Sequence, residues 1–232
     1  MRLTENSITD LPSPNHDERP EPVHMLILHY TGMQSAQAAI DRLRDPVARV
    51  SSHYVVDEDG AIFRLVQEER RAWHAGVSFW RGRRLLNDVS IGIEIVNPGH
   101  EWGYRRFPEA QIEAVRALCL DILGRHAIPP VHVVGHSDVA PDRKQDPGEL
   151  FPWRELADDG IGLWPKGDGG PGDFTASLAA IGYDVPLGAP PPTDVVTAFQ
   201  RHWHPEHVTG TADAATIARA VAVAERFVSK SD

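Results

Sequence analysis

Two histidines and a set of carboxylates are the residues in this chain whose types and spacing could do hydrolytic chemistry together. His29 ends the apolar run VHMLILH and His136 ends VHVVGH, and neutral imidazole at a strand end is the commonest zinc ligand. Two histidines and one carboxylate, with a fourth position left to water, make a hydrolytic metal site. The segment 135–153, GHSDVAPDRKQDPGELFPW, offers Asp138, Asp142 and Asp146 as that carboxylate, and spacing does not choose among them. Glu94 lies inside IGIEIV, where an ionised group is costly unless a charge, a metal or a chemical role offsets it. Taken singly, each histidine also fits a hydrogen-bonded core residue, and Glu94 fits the partner of a structural arginine.

Other nucleophiles fare worse. Ser137 follows His136 without a G-x-S-x-G elbow, and Cys119 falls on the apolar face of a helix. His202, His204 and His207 in QRHWHPEH read as exposed histidines at a helix end before Pro205.

These groups need elements to hold them. Val23–Leu28 is apolar on both faces, as a covered central strand requires, and 91–96 and 131–136 read as further buried strands. Residues 35–44 suit a short helix with Ser35 as N-cap, and SHYVVDEDGAIFRLV suits a hairpin turning at Glu58-Asp59-Gly60. A longer helix opens at Pro108, with Ile112, Val115, Leu118, Cys119, Ile122 and Leu123 on one face. This order predicts an α/β fold, a central mixed sheet flanked by helices. The segment 135–153 reads as irregular, its prolines bending the backbone.

The polar, proline-rich residues 1–22 read as an extended arm, and KGDGGPGD at 166–173 as a linker. Beyond it, helical patterns at 174–182, 193–202 and 212–228 predict a small three-helix domain over 174–232. The net charge of -10, without a run of five like charges, gives no footprint for nucleic acid or an anionic membrane. One cysteine excludes an internal disulfide. The start of the chain carries neither an apolar export segment nor a cysteine for a lipid, which predicts a cytoplasmic protein without a membrane span. A misassigned start would instead place it in the periplasm or at the outer membrane.

LHYT around His29, RAWHAGVSFWRG at 71–82, LNDVSIGIEIVNPG at 86–99 and the segment 135–153 together resemble the zinc-dependent N-acetylmuramoyl-L-alanine amidases of the AmpD/AmiD type. These are relatives of T7 lysozyme and the peptidoglycan recognition proteins. The resemblance covers 23–165, and LAAIGYDVP and VVTAFQRHW resemble the peptidoglycan-binding-like domain of AmiD. It implies one zinc ion held by His29, His136 and Asp146, with Glu94 as acid/base and Lys144 as second catalytic group. Trp73, His74 and Asn87 would line substrate subsites, and Asp138 and Asp142 would be structural, the first turning the backbone after His136 and the second facing solvent. The implied partners are peptidoglycan or muropeptide fragments, and the implied reaction is cleavage of the MurNAc (or 1,6-anhydro-MurNAc) to L-Ala amide during wall recycling or turnover. A non-catalytic peptidoglycan receptor and a zinc peptidase acting within the stem peptide are the competing functions.

Overall fold

The computed structural model describes residues 7–229, so the first six residues of the expected arm and the last three of the C-terminal region lie outside the described residues. Its strands are β1 (Ile8–Asp10), β2 (His16–Glu18), β3 (Met25–Tyr30), β4 (Tyr54–Val56), β5 (Ile62–Arg64), β6 (Arg70–Ala72), β7 (Ser90–Ile95) and β8 (Val133–Gly135). Its helices are α1 (Ala36–Arg44), α2 (Gly99–Trp102), α3 (Glu109–Arg125), α4 (His136–Val139), α5 (Trp153–Asp158), α6 (Phe174–Ile181), α7 (Thr193–Trp203) and α8 (Ala214–Val228). The main sheet runs β1-β5-β4-β7-β3-β8, and β2 pairs with β6 in a second, two-stranded sheet. Parallel β3/β7 and β4/β7 pairs beside the antiparallel β4/β5 hairpin make the sheet mixed, as expected. The chain divides into two compact units, one reaching to Gly76 and including Leu85–Ile128, the other combining Val77–Arg84 with the chain from Pro129 onward.

In the first unit, β3 and β7 pair residue for residue from Met25↔Ser90 to Tyr30↔Ile95, with His29 opposite Glu94. The turn of the β4/β5 hairpin falls where expected, closed by the Asp57 carbonyl accepting from Gly60 N–H at 3.0 Å. Ser35 caps α1 by accepting from Ala38 N–H, and Ile40 and Leu43 of that helix pack with Val55, Leu65 and Val96. From α3, the Gln111 amide donates to the carbonyls of Val56 and Val96, fixing the helix to two strands.

The arm is extended but tied in, through pairings that its polar sequence does not announce. β1 lies parallel to β5 and β2 antiparallel to β6. Beyond β2, the Arg19 guanidinium donates to the carbonyls of Glu68, Arg70, Asp88 and Ser90 at 2.8–3.1 Å. Burial lowers its pKa to about 10, so it stays charged at neutral pH and each of these bonds is charge-assisted.

In the second unit, the three C-terminal helices lie close to their expected positions. The strand expected over 131–136 is shorter: Pro130–His132 form a 3-10 turn, and His136 begins α4. The glycine-rich stretch 166–173 lies along α8, where Gly169 N–H donates to Ala218 O and a Cβ on Gly169 would come within 2.7 Å of that oxygen. Close packing on a helix, not only freedom, accounts for glycine there.

Candidate metal centre and active site

Side chains alternate between the two faces of a strand, and direct cross-strand partners share a face. The register therefore puts Ser90, Gly92 and Glu94 of β7 on one face with His29 of β3 and, through Val55↔Glu94, with Val55 of β4. Ile91, Ile93 and Ile95 take the other face. A run that reads as continuously apolar thus has one polar side, and Glu94 is half-buried directly across from His29.

His74 lies on the same side. Its Nδ1 is 3.0 Å from Nε2 of His29, its Nε2 is 3.2 Å from Oγ of Ser90, and the Ser90 hydroxyl donates to Leu86 O at 2.6 Å. The His74 ring fills the space over Gly92: a Cβ added there would sit 2.5 Å from its Cγ. Neighbouring His53 is fully buried, accepts from Gly92 N–H at Nδ1, and has its pKa lowered to about 3 by burial and by the Arg19 charge.

Trp73 and Asn87, expected to line substrate subsites, have structural partners. The Asn87 side-chain oxygen accepts from the N–H groups of His74 and Ala75, fixing the backbone that carries His74. The Trp73 indole N–H donates to Asp17, and Arg49 lies over its ring at 5.7 Å.

In the second unit, Asp138 and not proline geometry alone shapes the segment after β8. Its Oδ2 accepts from Gly135 N–H at 2.8 Å, the cap that lets the chain turn into α4 at His136. The segment expected to be irregular therefore contains one helical turn. Tyr183 donates its hydroxyl to Oδ1 of Asp138 at 2.7 Å, and burial together with that carboxylate holds the phenol pKa well above its usual value. Nδ1 of His202 lies 2.7 Å from Oδ2 of the same carboxylate. Asp142 is exposed, as expected, while Lys144 is half-buried with its N–H donating to Ala140 O. Ser137 N–H donates to Asp146 O, which anchors the far end of the loop to its start.

His29, His136 and Asp146 are all buried, and they offer ligand atoms that lie within 4.8 Å of one another. His136 Nδ1 and Asp146 Oδ2 are 3.0 Å apart. Donor atoms about 2 Å from a tetrahedral metal stand about 3.3 Å from each other, so this nitrogen and oxygen fit two ligands of one ion. Two imidazoles and a carboxylate are also the donor set of an open zinc site.

The terminal histidines differ from expectation. His202 is buried and stacks between Trp153 and Trp203, with ring centroids 3.9 and 3.6 Å away, and His204 is buried as well. Only His207 is exposed, paired with Asp213 at 2.9 Å. The expectation failed because Trp153, distant in sequence, stacks on His202 at the end of α7. Burial pushes the Cys119 thiol up to about 12, consistent with a core residue and not a nucleophile.

A mixed sheet flanked by helices carries a buried His-His-Asp cluster that could hold a metal ion, a donor set suited to an open hydrolytic site. The family model described as N-acetylmuramoyl-L-alanine amidase matches residues 19–149, and the chain belongs to that family. It is 41% identical over 234 residues to N-acetylmuramoyl-L-alanine amidase AmiD of Escherichia coli K12, covering 88% of this chain and 83% of AmiD. The structure of AmiD from E. coli with the substrate anhydro-N-acetylmuramic acid-L-Ala-D-gamma-Glu-L-Lys is similar with a TM-score of 0.78 and 38% identity, over 93% of each chain. AmpDh3 of Pseudomonas aeruginosa, in complex with anhydromuramic pentapeptide, gives a TM-score of 0.80 at 34% identity, covering 98% of this chain and 99% of that one.

Proposed function

We propose that this chain is a zinc-dependent amidase that cuts the bond between the lactyl group of MurNAc, or its 1,6-anhydro form, and the L-alanine of a peptidoglycan stem peptide, in cell-wall recycling or turnover. The observation that carries this reading is the buried His29, His136 and Asp146 cluster in a chain of this family. Those three residues would hold one zinc ion. Bound there, zinc supplies Lewis-acid polarisation of the scissile carbonyl and a more acidic attacking water.

The chain's own groups do the rest. Glu94, placed across from His29 by strand register, takes a proton from the attacking water and returns it to the departing alanine amine. The Lys144 ammonium donates to the oxyanion that develops on the carbonyl oxygen. Trp73 is assigned to the substrate cleft, whereas the contacts of His74 and Asn87 favour holding the site in shape. Residues 23–165 form the catalytic part in this reading, and 174–232 a peptidoglycan-binding-like domain.

Digestion of muropeptides by the zinc-loaded protein, followed by mass spectrometry, tests the reading. New L-alanine amino termini are expected, and Glu94→Ala should release none. Cuts within the stem peptide would make the protein a peptidase, and binding without any release would make it a receptor. Intact sacculi and anhydro-muropeptides run in parallel define the substrate. Among the described residues no helix is long and apolar enough to cross a membrane, and cell fractionation tests the cytoplasmic placement.

A further inference from the structure

The structure assigns a further binding site to the second unit: a cation-lined cavity formed by α5, the chain that follows it and α8, suited to a small organic anion with two or more carboxylate or phosphate groups. The cavity has a volume of about 550 Å³, within the range of small-molecule sites. None of His29, Glu94, His136 and Asp146 is in its wall, so the site is independent of the amidase reading.

Helix geometry gathers the charge. Arg219 and Arg226 are seven residues apart on α8, and at about 3.6 residues per turn that spacing returns both to one side of the helix. Arg154 of α5 and Lys166, in the stretch that leads away from it, line the same cavity. Asp158 and Asp168 are the acidic groups in the wall. A chain with a net charge of -10 thus sets four cations against two carboxylates around one cavity.

These cations have donors to spare. A guanidinium carries five N–H groups. Arg219 makes one ion pair, from Nη2 to Asp168 at 2.9 Å, and that carboxylate is itself 66% exposed. Among the described residues the side chains of Arg226, Arg154 and Lys166 have no ion pair or hydrogen bond, and the protein gives the buried Nε of Arg219 and of Arg226 no acceptor. Like charges gathered in a partly buried wall repel one another, and a bound anion offsets that repulsion. The planar arginine fork matches two oxygens of a carboxylate or phosphate. Trp164 lines the cavity too, with Arg219 over its ring at 5.8 Å. An anion held by Arg219 therefore lies beside an indole against which a carbon frame can pack, which favours an organic ligand over a bare ion.

Titration of the 15N-labelled full chain tests the site, with the Trp164 indole N–H and the Arg219 and Arg226 Nε–H signals as local reporters. Tricarballylate serves as the polycarboxylate, glucose 1,6-bisphosphate as the organic phosphate and sodium chloride as the control, all at equal ionic strength. Saturable shifts of the reporters are expected with at least one organic anion and not with chloride; a response to only one of the two decides between carboxylate and phosphate. Arg226→Gln removes a charge that has no partner in the protein, so its urea unfolding and its muropeptide hydrolysis should match the wild type. It should raise the Kd of the responding anion at least about 10-fold. Arg219→Gln should weaken binding as well. Reporter shifts that do not saturate, equal shifts with chloride, or a Kd for Arg226→Gln within twofold of wild type would overturn the site, while loss of hydrolysis in the wild type would bear on the amidase reading alone.

Discussion

In the first unit, His29 sits on a six-residue strand whose register with β7 is continuous, and its ring meets His74, which in turn meets Ser90. In the second, His136 and Asp146 sit in a short helical turn and a loop, where orientation comes from the backbone: Asp138 caps Gly135, and Ser137 N–H bonds the Asp146 carbonyl. A regular strand fixes where a residue is, and polar side chains beside it then contact its ring. A loop lacks a fixed path, so its polar groups go first into the path. The ligands in the two regions should therefore fail differently when damaged.

The most severe failure is expected at the loop ligand itself: Asp146→Ala should abolish zinc retention, read by elemental analysis of purified protein, and reduce hydrolysis to background. Next is Glu94→Gln on the strand, which should lower kcat about 10²- to 10⁴-fold in a muropeptide assay while zinc content stays at the wild-type level. Equal loss of metal in both variants would erase the distinction drawn between the two regions. Asp138→Ala then probes the path of the loop. It removes the acceptor of Gly135 N–H and Tyr183, both buried, and should cost about 3 kcal/mol in urea unfolding.

A smaller effect separates the regions by pH. The His53 pKa is about 3 in the folded protein and about 6.5 when unfolded. The unfolded state binds the extra proton first, so stability is full above pH 6.5 and is lost as pH falls toward 3. At about 1.4 kcal/mol per pH unit this residue contributes a loss of about 2 kcal/mol between pH 6.5 and 5. His53→Gln should flatten that part of the unfolding profile, and an unchanged slope would show that His53 is not its source. The smallest effect belongs to the exposed carboxylate of the loop: Asp142→Ala should keep its zinc and stay within about 0.5 kcal/mol of wild type.

The sequence carried the elements whose signal is local. An apolar run, an N-cap serine and a glycine turn were enough to place β3, α1 and the β4/β5 hairpin. The histidines of the buried cluster were legible because each closes such a run, whereas singling out Asp146 among three aspartates rested on the family resemblance. What escaped depends on distant partners. Strands β1, β2 and β6 are three residues each and have no periodicity to read; they exist because another strand is beside them. The polar side of β7 was hidden because Ser90 and Gly92 become informative only when His74 packs over them. One signal was available for that contact: a glycine at the centre of a buried strand often marks the close approach of another group.

Asp138 also bears on how this chain could have been assembled in evolution. Two of its three partners, Tyr183 and His202, come from the region after residue 173. A gene shortened at the glycine-rich stretch would leave a buried carboxylate two residues from His136 with only a backbone N–H to satisfy it. Exchange of these helices by recombination would remove two of the three groups that satisfy Asp138. The terminal region and the loop are thus coupled through a single carboxylate.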